Sequence, residues 1–119
     1  MTSKKSSFEL HLEKLRSEYK LQLPEKISAI KRDWQLLINI WNDELIIQLH
    51  RNVHSLIGTA GTFGFNDISK IARRLEELIK PLLAEKSESY IIPPELCSLV
   101  FDSIANIERL ITTSAEKHH

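Results

Sequence analysis

The chain has 119 residues, of which 42% are hydrophobic, enough apolar material for one domain with a buried core. Lys and Arg total 16 and balance 16 Asp and Glu. This zero net charge argues against nonspecific binding to nucleic acid and against an electrostatic membrane anchor, because both need an excess of basic residues. No apolar run approaches the roughly 20 residues of a membrane span. The single cysteine, Cys97, excludes a disulfide framework and favours a reducing compartment, the cytoplasm.

Apolar residues recur at helical spacing along nearly the whole chain. The first stripe, running from Phe8 to Tyr19, predicts a capping helix within residues 1–20, with Ser6 as its N-cap. The second stripe, running from Leu23 to Trp41, predicts the first helix of the core. Pro24 stands near the start of that helix, where proline is tolerated.

Three further helices follow. Asn42 is a good N-cap for a helix over about 43–63, which Gly64 ends in a left-handed conformation. The stretch FND starts the next helix, and Pro81 shortens its last turns. After the polar loop AEKSES, the stretch IIPPE starts the last helix.

These helices predict an all-α fold. The short loops make neighbouring helices antiparallel, which gives an up-down four-helix bundle over about residues 23–112 with an additional N-terminal helix. Residues 1–119 are interpreted as a single domain and residues 113–119 as a tail. The final KHH is assigned no function, because it is a native end or part of a purification tag.

The three glycines of the chain, Gly58, Gly61 and Gly64, all follow His54 within ten residues. A helix advances about 100° per residue, which places His54 away from the apolar stripe of its helix. Gly58 and Gly61 share its face, although each glycine weakens a helix by about 1 kcal/mol. This face predicts a docking surface around the histidine, formed by Ile47, His50, Ile57, Gly58 and Gly61.

At these residues the sequence resembles the histidine phosphotransfer (HPt) domain of multistep phosphorelays. The family pattern, a histidine followed by a glycine four positions later and a small-small-x-apolar-glycine continuation, is matched by His54, Gly58 and the run through Gly64. The next helix, FNDISKIARRLEELIK, is also similar, and the resemblance covers about residues 20–112.

The resemblance implies a relay function. His54 would accept a phosphoryl group from an aspartyl phosphate of a receiver domain and pass it to a second receiver, without kinase activity of its own. The expected partners are response-regulator receiver domains and a hybrid histidine kinase, and the family favours a monomer. No cofactor or metal is expected on this chain, because the receiver carries the Mg²⁺.

Two further positions bear on how the ring of His54 is held and on which residue supplies positive charge beside it. The family often has glutamine 22 positions after the histidine to hold its second ring nitrogen, and here that position is Glu76. Glu76 is predicted to face the His54 helix or to be a solvated flank residue. The family's lysine three positions after the histidine is replaced by Ile57. Arg51, one turn before His54, is the candidate to replace its charge.

Three alternatives compete with the relay. His50 and His54, spaced four apart, form a pair that can bind one metal ion, with Glu76 as a third ligand. The stretch GTAGTFG superficially matches a phosphate-binding loop, but it lies inside a helix and lacks the preceding strand and the following Lys-Ser/Thr. The third alternative is a degenerate HPt domain that docks a receiver without transferring phosphate, which the absence of the lysine at position 57 keeps open.

Overall fold

Four helices make up the fold of residues 6–116, the part of the chain that the computed structural model describes. They are α1 (Ser7–Asn39), α2 (Asp43–Thr62), α3 (Asn66–Ile79) and α4 (Pro94–Glu116), and a 3₁₀ turn (Lys80–Ala84) follows α3. No strand occurs within these residues. The predicted all-α bundle is therefore confirmed. The final residues KHH lie outside the described residues.

The predicted N-terminal capping helix is not separate from the first core helix. Instead, α1 continues through Pro24 from Ser7 to Asn39. Its buried face carries a long apolar series on both sides of the proline: Tyr19, Leu23, Ile27, Ile30, Trp34 and Leu37. Packing of this continuous face outweighs the hydrogen bond that Pro24 cannot donate. The predicted tail is likewise shorter, because α4 continues to Glu116.

The corner between α2 and α3 is set by Gly64, which has a φ angle of 85°. The N–H groups of the last two residues of this corner close it: Gly64 donates to the carbonyl of Gly61 at 3.2 Å, and Phe65 donates to that of Ala60 at 2.8 Å. This pair of bonds is a Schellman motif. At the other end of α2, the side chain of Asn42 accepts from the N–H of Leu45 at 3.0 Å, as predicted for an N-cap.

Helix α2 runs antiparallel to both α1 and α3, as contacts near both of its ends show. Towards α1, Tyr19 bonds to Thr59 at 2.7 Å and Gln48 donates to Asp33 at 3.2 Å. Towards α3 the order is antiparallel as well, because Ser69, early in α3, bonds to Ile57, and Glu76, late in α3, bonds to His54, which precedes Ile57 in α2. The helices enclose one apolar cluster that includes Trp34, which is fully buried. This packing leaves one face of α2 exposed between α1 and α3.

No helix among residues 6–116 combines the length and the apolar character that crossing a bilayer requires.

Candidate functional site

His54 lies on the exposed face of α2, and 72% of its side chain is accessible. The core side of the same helix is formed by Leu49, Val53 and Leu56, which are buried. Because the apolar stripe fixes the rotation of α2, the imidazole of His54 is held towards solvent.

Glu76 of α3 contacts the ring of His54. Its Oε2 oxygen lies 2.6 Å from Nδ1 of His54, and the Glu76 side chain is only 19% exposed. A carboxylate has no proton to give, so Nδ1–H of His54 is the donor in this bond. This bond selects the tautomer in which Nε2 carries a free lone pair, and Nε2 is then the nitrogen available to an incoming group.

A second histidine lies against the same carboxylate. Nε2 of His50 is 3.5 Å from Oε2 of Glu76, and the rings of His50 and His54 are nearly parallel with centroids 6.2 Å apart. Nε2 of His50 is buried and has no hydrogen-bond partner. One oxygen of Glu76 therefore faces two imidazoles, one exposed and one largely covered.

His50, His54 and Glu76 are the three residues of the metal-site alternative. Within the described part of the chain, no group of three or more His, Cys, Asp or Glu residues is placed to hold a metal ion. The metal-site alternative therefore has no support from the geometry.

The glycines on the His54 face differ in their surroundings. A Cβ atom added at Gly58 would have no heavy atom within 4 Å apart from its chain neighbours and the adjacent backbone of its own helix, so the surface beside His54 is open there. A Cβ atom at Gly61 would meet Oγ of Ser69 at 3.4 Å. Gly58 thus leaves room for an approaching molecule, whereas Gly61 also allows α3 to lie close to α2.

The remaining predicted site residues surround the histidine unevenly. Ile47 is 42% exposed, one turn before His50. Ile57 is half-buried and packs against the core, so only part of it contributes to the surface. Arg51 is exposed on α2. Its predicted supporting role stays a prediction.

Sequence reasoning missed Ser69. This buried side chain donates a hydrogen bond of 2.8 Å to the carbonyl of Ile57, which fixes the height of α3 against α2. Its position seven residues before Glu76, two helical turns on the same face, was the available signal.

Arg73 was also missed. It is exposed and lies on α3 between Ser69 and Glu76, within about 60° of both around the helix axis. Ser69 contacts Ile57 and Glu76 contacts His54. Arg73 therefore lies at the height of the α2 segment between His54 and Ile57. It is the basic residue of α3 on the edge nearest His54, whereas Arg74 is turned about 160° from Glu76.

Comparison with known proteins bears on the same region. The family model described as Hpt domain matches residues 14–113, more than half of the chain. No curated protein and no solved structure matches significantly. The family match contains all four helices in large part, together with His54, Glu76 and the glycines. The chain therefore belongs to the Hpt domain family, whose members are phosphotransfer modules of phosphorelays that interact with two-component receivers and kinases.

Proposed function

We propose that this protein is a phosphorelay intermediate that accepts a phosphoryl group on Nε2 of His54 from a receiver-domain aspartyl phosphate. It then passes the group to another receiver. The observation that carries the proposal is the pairing of an exposed imidazole with a partly buried carboxylate: His54 is 72% exposed, and Glu76 lies 2.6 Å from its Nδ1. A neutral imidazole with its proton fixed on Nδ1 is a competent nucleophile at Nε2 near neutral pH.

The transfer step needs little more from this chain. The Nε2 lone pair of His54 forms a bond to phosphorus while the bond from phosphorus to the receiver's carboxylate oxygen breaks, and that oxygen keeps the electron pair. Phosphoryl transfer depends mainly on positioning and on neutralising charge on the phosphoryl oxygens. We assign the Mg²⁺ to the receiver, and no kinase activity to this chain.

The surface around His54 suits docking by a receiver. Gly58 leaves open space one turn after the histidine, and Ile47 offers an exposed apolar side chain one turn before His50. Together with Ile57, His50 and Gly61 they form the proposed docking surface. All these groups come from one chain, so a monomer is sufficient for the relay. The proposal places the protein in the cytoplasm with its receivers.

The chain lacks the family's lysine at position 57, and we propose that Arg73 supplies the missing positive charge. It is exposed on the edge of α3 between the two residues that contact α2. Arginine presents up to five N–H donors and suits phosphoryl oxygens. Arg51, one turn before His54 on α2, is the second candidate for this role.

One observation favours a second candidate function. Ile57 cannot bind phosphoryl oxygens, and it packs partly against the core. A domain that docks a receiver without transfer would tolerate this residue. The variant His54→Gln separates the two functions, because docking would survive the change and transfer would not.

The direct test is transfer from a phosphorylated receiver domain to the chain, followed by isotope counting on both proteins. Wild type should become labelled and the receiver should lose label, and His54→Gln should stay unlabelled. Receiver binding by both forms without transfer to either would support the docking module instead.

A further inference from the structure

We propose that His50 is the proton acceptor of the site and takes up, through Glu76, the proton that His54 releases when it is phosphorylated. This inference rests on the proposed function, because it concerns the same transfer step. His50 acts through Glu76 and does not touch the phosphoryl group.

The starting observation is the unpartnered nitrogen of His50. Its Nε2 is buried, makes no hydrogen bond and lies 3.5 Å from Oε2 of Glu76. A buried polar atom without a partner costs stability, so its retention at this position calls for a reason. In this proposal the resting proton of His50 is on Nδ1, so Nε2 carries the lone pair that accepts a proton, and after protonation His50 forms an ion pair with Glu76.

Phosphorylation creates the need for such an acceptor. When Nε2 of His54 bonds to phosphorus, its ring gains positive charge and the Nδ1 proton becomes easier to lose. That proton already lies in the 2.6 Å bond to Oε2 of Glu76. It moves to Oε2 and then to Nε2 of His50. Glu76 ends as a carboxylate and His50 as an imidazolium. The return transfer reverses these steps, so no proton is gained or lost over the cycle.

Charge balance favours the same end state. The phosphoryl group adds negative charge beside Glu76, and position 57 holds isoleucine. Nearby negative charges favour the protonated form of an imidazole. A protonated His50 would then be the cation next to Glu76. His50 is 24% exposed, so this interaction is weakened less by solvent than one on the open surface.

The other charged groups around His50 can be located on the helices that pack against α2. From α3 these are Glu76, with Arg73 one turn before it and Lys80 one turn after it, the latter at the start of the 3₁₀ turn. On α2 itself the neighbouring titratable group is His54. Helix α1 packs on the other side of α2, where Gln48 contacts Asp33. Glu76 is the carboxylate in contact with His50, and it is therefore the route for the proton.

The first test observes His50 directly in the wild-type chain. Nitrogen-15 NMR of the imidazoles would be recorded at a fixed neutral pH before and after phosphorylation with phosphoramidate. We expect the protonated fraction of His50 to rise at least severalfold when His54 carries phosphate. An unchanged His50 spectrum in a chain labelled on His54 would overturn the inference and leave the proposed function intact.

The second test compares variants. His50→Gln should still be labelled on His54, at a rate about tenfold lower, with a pH profile that has lost one ionisation. His11→Gln, which changes an exposed histidine near the start of α1, is the matched control and should keep the wild-type profile. A His50→Gln profile identical to wild type would overturn the inference. Absence of label on wild-type His54 would instead overturn the proposed function. If His50→Gln does not fold, the wild-type NMR measurement decides.

Discussion

Nδ1 of His54 and Oε2 of Glu76 lie 2.6 Å apart across the α2–α3 interface, although 22 positions separate the two residues in the chain. The bond joins a 72% exposed ring to a carboxylate that is 19% exposed. A partly covered carboxylate holds an imidazole in one tautomer and one orientation without blocking its outer nitrogen. The reactivity assigned to His54 depends on this geometry.

Replacing Glu76 tests the tautomer directly. Glu76→Gln keeps an acceptor oxygen and should leave Nδ1 of His54 protonated, whereas Glu76→Ala should let both tautomers form. We expect phosphoramidate labelling of Glu76→Ala to be about tenfold slower than wild type, with Glu76→Gln between the two. Nitrogen-15 NMR reads the tautomer, and Glu77→Ala, an exposed neighbour, serves as the control. A wild-type tautomer ratio in Glu76→Ala would contradict the role given to the carboxylate.

Gly58 is expected to lower the stability of the fold while leaving space for a receiver beside His54. Because an added Cβ has open space there, Gly58→Ala should raise the free energy of unfolding by about 0.5–1 kcal/mol. Chemical denaturation measures this gain. A larger change, Gly58→Gln, should slow transfer from a phosphorylated receiver while phosphoramidate labelling stays close to wild type, since only the large partner needs the space. Equal slowing with both donors would show that Gly58 acts on the histidine itself and not on docking.

Gly64 should respond in the opposite direction from Gly58. Its φ angle of 85° is in the left-handed region, where a side chain is strained. Gly64→Ala should therefore lower the free energy of unfolding by about 1 kcal/mol, measured by the same denaturation experiment. The Schellman bonds of the corner would persist in strained form. An increase in stability would mean that the corner relaxes to another conformation.

Arg73 and Arg74 form a matched pair for the missing lysine charge. Both are exposed on α3, but Arg73 is on the edge nearest His54 and Arg74 is on the far side. Arg73→Ala should slow phosphoramidate labelling and change the lifetime of the phosphohistidine severalfold, and Arg74→Ala should change neither. If the two variants behave alike, the charge comes from elsewhere, and Arg51→Ala is then the variant to measure.

The helices and most of their ends were predictable from local signals. Asn42 as an N-cap, Gly64 as a left-handed stop and Pro81 near the end of α3 each act within a few residues. The junction near Pro24 was not predictable in this way. Whether a proline ends a helix depends on the packing on either side of it, and here the buried face from Tyr19 to Leu37 continues across it.

The site was predictable to a lesser extent. The exposure of His54 followed from helix periodicity, because its own stripe fixes the rotation of α2. The position of Glu76 remained ambiguous, since a flank residue of one helix meets a neighbour only at a particular height and rotation of the pair. The hydrogen bond from Ser69 to Ile57 sets that height. The spacing within α3 places Ser69 on the same face as Glu76, but the bond itself joins two helices and depends on how they pack.

The most direct measurement is intact mass after incubation with phosphoramidate, compared among wild type, His54→Gln and His11→Gln. We predict one acid-labile phosphoryl group on wild type and on His11→Gln, and none on His54→Gln. Label that persists in His54→Gln would place the acceptor on another residue. An unlabelled wild type that retains its helical circular dichroism would contradict the relay function and favour a domain that only docks its receiver.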